Sequence, residues 1–140
     1  MIHIERATSE DLHEIWPLAA DFIHNPAQGE RVVSAVNAKR CYVAKQGWSV
    51  VGALIREDHF FGYPLLSLLV VHPDHPRDVV VTALFHYAEQ ATPARPIFSA
   101  CAANDSASQH LLVSFGYLPA GQVLYTRSDG LAEALFGKLP

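Results

Sequence analysis

Apolar residues along this chain recur with the spacing of strands in some stretches and of helices in others. Ile2 to Ala7 alternates as a half-buried strand does, and Thr8-Ser9-Glu10-Asp11 supplies a polar cap for a helix with apolar positions at Leu12, Ile15, Trp16, Ala19 and Phe22. Asn25-Pro26-Ala27 interrupts that pattern, and Gln28 to Lys39 reads as a second helix with Val32, Val33 and Val36 on one side. Arg40 to Lys45 and Trp48 to Arg56 are β-rich around a tight Gln46-Gly47 connection, which predicts a hairpin, and Tyr63 to His72 follows as a third consecutive strand. Asp78 to Gln90 predicts a helix ended by Pro93 to Pro96. Ile97 to Ala102 predicts a short buried strand, and Ser106 to Phe115 a helix stopped by Gly116. Tyr117 to Arg127 and Ala134 to Leu139 close the chain as strands joined by Ser128-Asp129-Gly130. The order β-α-α-β-β-β-α-β-α-β-β predicts an α/β chain of mixed α+β type. Its central sheet is mixed, with helices on both faces, and is not a doubly wound parallel sheet.

Composition narrows the class. A chain of 140 residues, half of them apolar, is expected to be one domain over residues 1–140 with a core that needs neither disulfides nor metal. Ten basic residues against fourteen acidic ones, a formal charge of −4, and no Lys/Arg cluster argue against a nucleic-acid surface or an anionic membrane as partner. Cys41 and Cys101 are far apart without CxxC spacing, so reduced thiols are expected. The opening Met1 to Arg6 is a charged strand without an apolar leader, and no apolar run reaches membrane-spanning length. The expected location is cytoplasmic.

The candidate chemistry concentrates after the third consecutive strand. There Leu65 to Val71 runs through His72-Pro73-Asp74-His75-Pro76-Arg77-Asp78 into the helix pattern from Val79 onward. A strand, a loop and a helix start in that order present unpaired backbone N–H groups and the positive end of a helix dipole, a setting suited to a phosphate or pyrophosphate. His72, Asp74 and His75 are ligand-type residues, but two prolines hold the loop extended and no third ligand is spaced for a metal, so no metal is expected. Cys101 reads as a small apolar strand residue before a nucleophile. Trp16, Phe22, Phe60, Phe61 and Tyr63 suit core or interface, and Phe60-Phe61-Gly62-Tyr63 is a possible contact of a homodimer.

Taken with the element order, several local sequences resemble the GCN5-related N-acetyltransferase (GNAT) family. Ile4 to Asp11 is similar to its opening strand and first cap, and Gly52-Ala53-Leu54 to its middle strand. Leu69-Val70-Val71-His72-Pro73 is similar to the end of its fourth strand, Asp105 to Tyr117 to its last helix, and Ala134 to Leu139 to its terminal strand. The resemblance covers nearly the whole chain. It implies transfer of an acetyl or acyl group from acetyl-CoA to a small-molecule or peptide amine by direct attack in a ternary complex. In that arrangement Asp78, Val79, Val80, Val81 and Thr82 hold the pyrophosphate and Arg77 serves as a phosphate partner. Leu69, Val70 and Val71 hold the pantetheine and polarise the carbonyl through backbone N–H, and the first two helices receive the acceptor. Asn104 either holds the pantetheine arm or, with Asp105, caps the last helix.

The departures from the family pattern are specific. Members usually carry Arg or Gln, two residues, Gly, one residue, then Gly or Ala after the fourth strand; here those positions are Pro76, Val79 and Val81. Glycine lets backbone amides approach a pyrophosphate, and Asp78 adds a negative charge there. The tyrosine that protonates the departing thiolate is replaced by Leu112, which leaves a thiol of ordinary pKa about 8.5 to depart unaided. The fourth strand offers only Ser67 where many members place a carboxylate near the amine. His72 is then the first candidate for the base, with Asp21, His24 or a Glu57-Asp58-His59 turn as others. The same departures define an alternative: an inactive acetyltransferase-like binding or regulatory module. A further possibility is an enzyme that uses another acyl carrier.

Overall fold

The computed structural model describes residues 1–23 and 25–140; the candidate base His24 lies outside the described residues. The strands are β1 (Ile2–Arg6), β2 (Cys41–Gln46), β3 (Ser49–Phe60), β4 (Tyr63–Val71), β5 (Ile97–Ala102), β6 (Leu118–Val123) and β7 (Glu133–Lys138). The α-helices are α1 (Leu12–Ala19), α2 (Pro26–Asn37), α3 (Arg77–Gln90) and α4 (Ser106–Ser114), with a 3₁₀ turn at Ser9–Asp11 leading into α1. The expected order of elements is the observed one, and the strands form one mixed sheet in the order β1-β2-β3-β4-β5-β7-β6. The chain divides into two compact units, Met1–Glu57 with Ser67–Pro93 and Asp58–Leu66 with Ala94–Pro140. No helix among the described residues is long and apolar enough to cross a membrane.

In the first unit the sheet is a meander in which β1 pairs antiparallel with β2 from Ile2↔Gln46 to Arg6↔Tyr42, and β2 antiparallel with β3. Period-two alternation sorts its side chains. Cys41, Val43, Ala53 and Ile55 form a buried cluster with Ile15 and Ala19 of α1 and Val32, Ala35 and Val36 of α2. Tyr42, on the opposite side of β2, meets the ring of Tyr87 in α3 edge-on at 5.6 Å. Helices therefore cover both faces of this part of the sheet, as the pattern predicts. The start of α1 is fixed by the Thr8 amide, which donates to Asp11 Oδ2 at 2.8 Å, while Lys45 Nζ bridges Asp11 at 2.9 Å and Glu5 at 2.7 Å. Burial pushes the Asp11 carboxyl up, but the Thr8 amide and the Lys45 ammonium outweigh it and the net is a lowered pKa.

The second unit contains the start of β4, paired parallel with β5 at Leu65↔Phe98 and Leu66↔Ser99, followed by the antiparallel β5–β7 and β7–β6 pairs. Ser99 Oγ donates to the Leu66 carbonyl at 3.0 Å. Asp105 caps α4, its Oδ1 accepting from the Ser108 amide at 3.1 Å.

Several boundaries differ from the sequence reading, each for a local reason. Helix α2 starts at Pro26 and not at Gln28. Asn25 is its cap, with Oδ1 accepting from the Gln28 amide at 3.0 Å, and a proline is tolerated in a first turn whose N–H groups have no helical acceptor. Helix α1 stops at Ala19, before Phe22, and carries Pro17 inside it, whose missing N–H leaves the His13 carbonyl without its helical donor. Strand β3 continues to Phe60, so Glu57, Asp58 and His59 are strand residues and not a turn. The reversal lies at Phe61 and Gly62, both at positive φ as a two-residue type I′ hairpin requires. Strand β6 is Leu118–Val123, shorter than the Tyr117 to Arg127 expected, and the ion pairs of Arg127 with Asp129 and Glu133 hold the following loop.

Candidate active site

The site assembles in the first unit, where β4 delivers the chain to α3. Leu68 sits within β4 at a φ of +44°, a left-handed conformation that a leucine in a strand rarely adopts. Such an inversion redirects the backbone N–H and C=O groups that a regular strand would spend on its neighbours, in the manner of a bulge beside a functional site. Nothing in Leu65-Leu66-Ser67-Leu68-Leu69 announces it, since it is not placed on glycine, asparagine or aspartate. Beyond Val71 the His72 amide donates to the Val51 carbonyl at 2.8 Å, and the His75 amide to the His72 carbonyl at 3.1 Å, so the loop is a tight turn and not an extended arm.

Helix α3 opens at Arg77 with Pro76 as its cap residue and no side chain capping the terminus. Its first helical bond runs from the Val80 amide to the Pro76 carbonyl at 3.2 Å, so the amides of Asp78 and Val79 precede any acceptor within the helix. The three valines split: Val80 is fully buried and Val81 is 2% exposed, whereas Val79 is 52% exposed. Only Val79 carries its isopropyl group on the outer side of the helix start. Thr82 Oγ1 donates back to the Asp78 carbonyl at 2.6 Å. The helix is seated by Val80 over Gly52. A Cβ on Gly52 would come within 2.7 Å of Val80 Cγ1 and 3.2 Å of the Val70 carbonyl, so glycine there sets how closely α3 rests on β3 and β4.

His72 is positioned differently from a free base. Its Nδ1 accepts from the Asp74 amide at 3.1 Å, so the neutral ring carries its proton on Nε2 and its lone pair is already engaged. Asp21 is exposed in the turn after α1. Glu57 is the carboxylate brought to β4: Arg31 of α2 grips it with Nε on Oε1 at 3.0 Å and Nη2 on Oε2 at 2.5 Å, and Ser67 Oγ donates to Oε2 at 3.4 Å. The sequence reading placed Glu57 in a turn, and the missing signal is a contact between residues far apart in the chain. Cys41 is inert, its thiol pushed up to about 12 by burial and then by the Asp11 charge.

In the second unit Leu112 is buried at 4% exposure on α4, and the neighbouring Tyr117 is fully buried. Asn104 is an exposed residue of the turn before α4, whose cap is Asp105. Cys101 is half-buried in β5, opposite Ala134.

No protein-family model matches the sequence, and no curated protein matches it. Solved structures do. A GNAT-family acetyltransferase from Bacillus cereus ATCC 10987 superposes with a TM-score of 0.86 at 25% identity, over 99% of this chain and 97% of that one. The ribosomal-protein-S18-alanine N-acetyltransferase of Escherichia coli gives 0.79 at 17% identity over 99% and 94%. The NatC complex bound to Gag peptide and CoA gives 0.78 at 12% identity over 99% and 98%.

The fold is that of the GNAT acetyltransferases.

The kink at Leu68 and the uncapped start of α3 lie on the two sides of the β4–α3 loop. Of the two valines at positions where the resemblance expects glycine, or glycine or alanine, Val81 is buried in the core and Val79 is exposed.

Proposed function

We propose that this GNAT chain transfers an acetyl or related acyl group from an acyl-CoA to a primary amine of a small molecule or peptide, by direct attack in a ternary complex. The observation that carries this reading is the uncapped N-terminus of α3 directly after the kinked β4, with Val80 and Val81 turned into the core and Asp78 and Val79 amides left at the terminus. Backbone donors and the helix dipole suit a pyrophosphate, and Arg77 at the first helical position adds a cationic partner. Asp78 in the same turn works against the phosphates and lowers the expected affinity. The backbone of Leu69, Val70 and Val71 lies next in line for the pantetheine and the carbonyl. Two neighbours in fold support the substrate classes: one is named for a protein alanine, and another was solved with a peptide and CoA. With Leu112 in place of a phenol, the thiolate departs as the anion and takes its proton from solvent. Cys41 and Cys101, neither of them in a disulfide, accord with a cytoplasmic setting.

Calorimetric titration with acetyl-CoA, and separately with CoA, tests the reading. Micromolar binding is expected, weakened roughly tenfold by Arg77→Ala through loss of a charge-assisted phosphate contact. Absence of binding at millimolar cofactor would sink the reading and favour the inactive module.

A further inference from the structure

The fourth strand has no carboxylate, yet one is bonded to it. Glu57 of β3 accepts from Ser67 of β4, the residue immediately before the kinked Leu68, and is clasped by Arg31 of α2, a helix on the side assigned to the acceptor. Among the described residues Arg31 from α2 and Ser67 from β4 are the side chains that hydrogen-bond it. An ionised carboxylate offers about four lone-pair sites. Arg31 Nη2 and Ser67 use both on Oε2, and Arg31 Nε uses one on Oε1, so a single site on Oε1 remains for a further donor. With its side chain 30% exposed, Glu57 can be reached from solvent.

We infer that Glu57 is the proton acceptor for the attacking amine and that Arg31 is its positioning residue. The inference rests on the acyltransferase reading above. An ammonium donates to the free site of Glu57 Oε1, directly or across one water, and leaves a proton there. The nitrogen lone pair then bonds to the thioester carbonyl carbon, the C–S bond breaks, and its electron pair stays on sulfur. The remaining excess N–H proton passes through solvent to the thiolate, and Glu57 returns its own to water. Arg31 acts by orientation. Its two-point grip fixes the plane of the carboxylate, while its positive charge disfavours the ammonium form and equally lowers the basicity of the carboxylate it holds. Ser67, where a carboxylate would otherwise stand, orients Glu57 by its hydroxyl.

The test uses the full chain, acetyl-CoA, and n-propylamine at high concentration as a generic primary amine, with released thiol measured across pH 6 to 9. Calorimetry of acetyl-CoA binding comes first. A wild-type protein that binds no acetyl-CoA overturns the acyltransferase reading itself, whereas unchanged binding by Glu57→Gln shows that the variant is folded and isolates the catalytic step. The expected result is a roughly hundredfold loss of rate at neutral pH in Glu57→Gln. Its rate should then climb about tenfold per pH unit, following the free amine in solution, while the wild-type profile is flatter. Glu57→Asp should restore part of the rate, and Arg31→Gln should lower the rate through lost orientation while keeping the flat wild-type pH profile, which Glu57→Gln loses, and without changing acetyl-CoA affinity. A Glu57→Gln protein with the wild-type rate and profile overturns the assignment. So does a wild type that binds acetyl-CoA but transfers nothing to propylamine, because a base at this position serves any primary amine that reaches it.

Discussion

One isopropyl group, on Val79, stands on the outer side of the helix start that is proposed to hold a pyrophosphate. Removing it in Val79→Gly exposes the amides of Asp78 and Val79, and CoA should bind about fivefold tighter, roughly 1 kcal/mol, by calorimetry. The same change places glycine in a first helical turn, so the melting temperature should fall by an amount matching at most ~1 kcal/mol. Val81→Gly is the control. It empties a core position, destabilises the protein by roughly 2–3 kcal/mol and leaves CoA affinity unimproved. The sequence shows three adjacent valines and no way to rank them, because a helix start three residues away decides which faces solvent. The same holds for the proposed base. His72 stands out in the sequence as the titratable residue at the end of β4, whereas its engagement by the Asp74 amide and the arrival of Glu57 beside Ser67 are set by folding.

At the scale of elements, the joint between β3 and α3 depends on Gly52. Gly52→Ala puts a methyl within 2.7 Å of Val80 Cγ1, so α3 must lift at the end that carries the proposed pyrophosphate site. We expect a loss of roughly 1–3 kcal/mol in urea unfolding and weaker CoA binding, and Val80→Ala combined with Gly52→Ala should recover part of both. Element types were readable from periodicity because each helix and strand shows an apolar side to its neighbours. Ends were less readable where a polar residue inside an element has a distant partner. Glu57, Asp58 and His59 look like a turn because they are charged or polar, yet they continue β3, and the clasp of Glu57 by Arg31 accounts for a charged residue within a strand. Pro26 looks like a break because proline interrupts a helix interior, yet it is favoured at a helix start, and the cap at Asn25 is what distinguishes the two.

For the molecule as a whole, the pH dependence of stability follows from the group that ties β1, β2 and the start of α1. The Lys45 hydrogen bond lowers the Glu5 carboxyl, and Asp11 is also lowered despite its burial, from ordinary values of 4.5 and 3.8. Each therefore binds its proton less readily folded than unfolded. Their contribution is fully present above those ordinary values and is lost as pH falls through the depressed ones. Lys45 is raised above its ordinary 10.5 by Glu5 and Asp11, so its contribution is fully present below that value and is lost as pH rises through the raised one. Urea midpoints should accordingly be level between about pH 5 and pH 10 as far as this group is concerned, falling on both sides. Lys45→Ala leaves Asp11 buried with the amide and hydroxyl of Thr8 to hold its charge. The midpoint near neutrality should drop by an amount equal to about 2 kcal/mol, short of the cost for a fully buried pair because Lys45 keeps some contact with solvent. Without the ammonium the Asp11 carboxyl is pushed up by burial, so the acid limb should begin at higher pH in the variant. A variant acid limb coincident with that of the wild type would show that the amide and hydroxyl of Thr8 keep Asp11 ionised and that Lys45 contributes only at the surface.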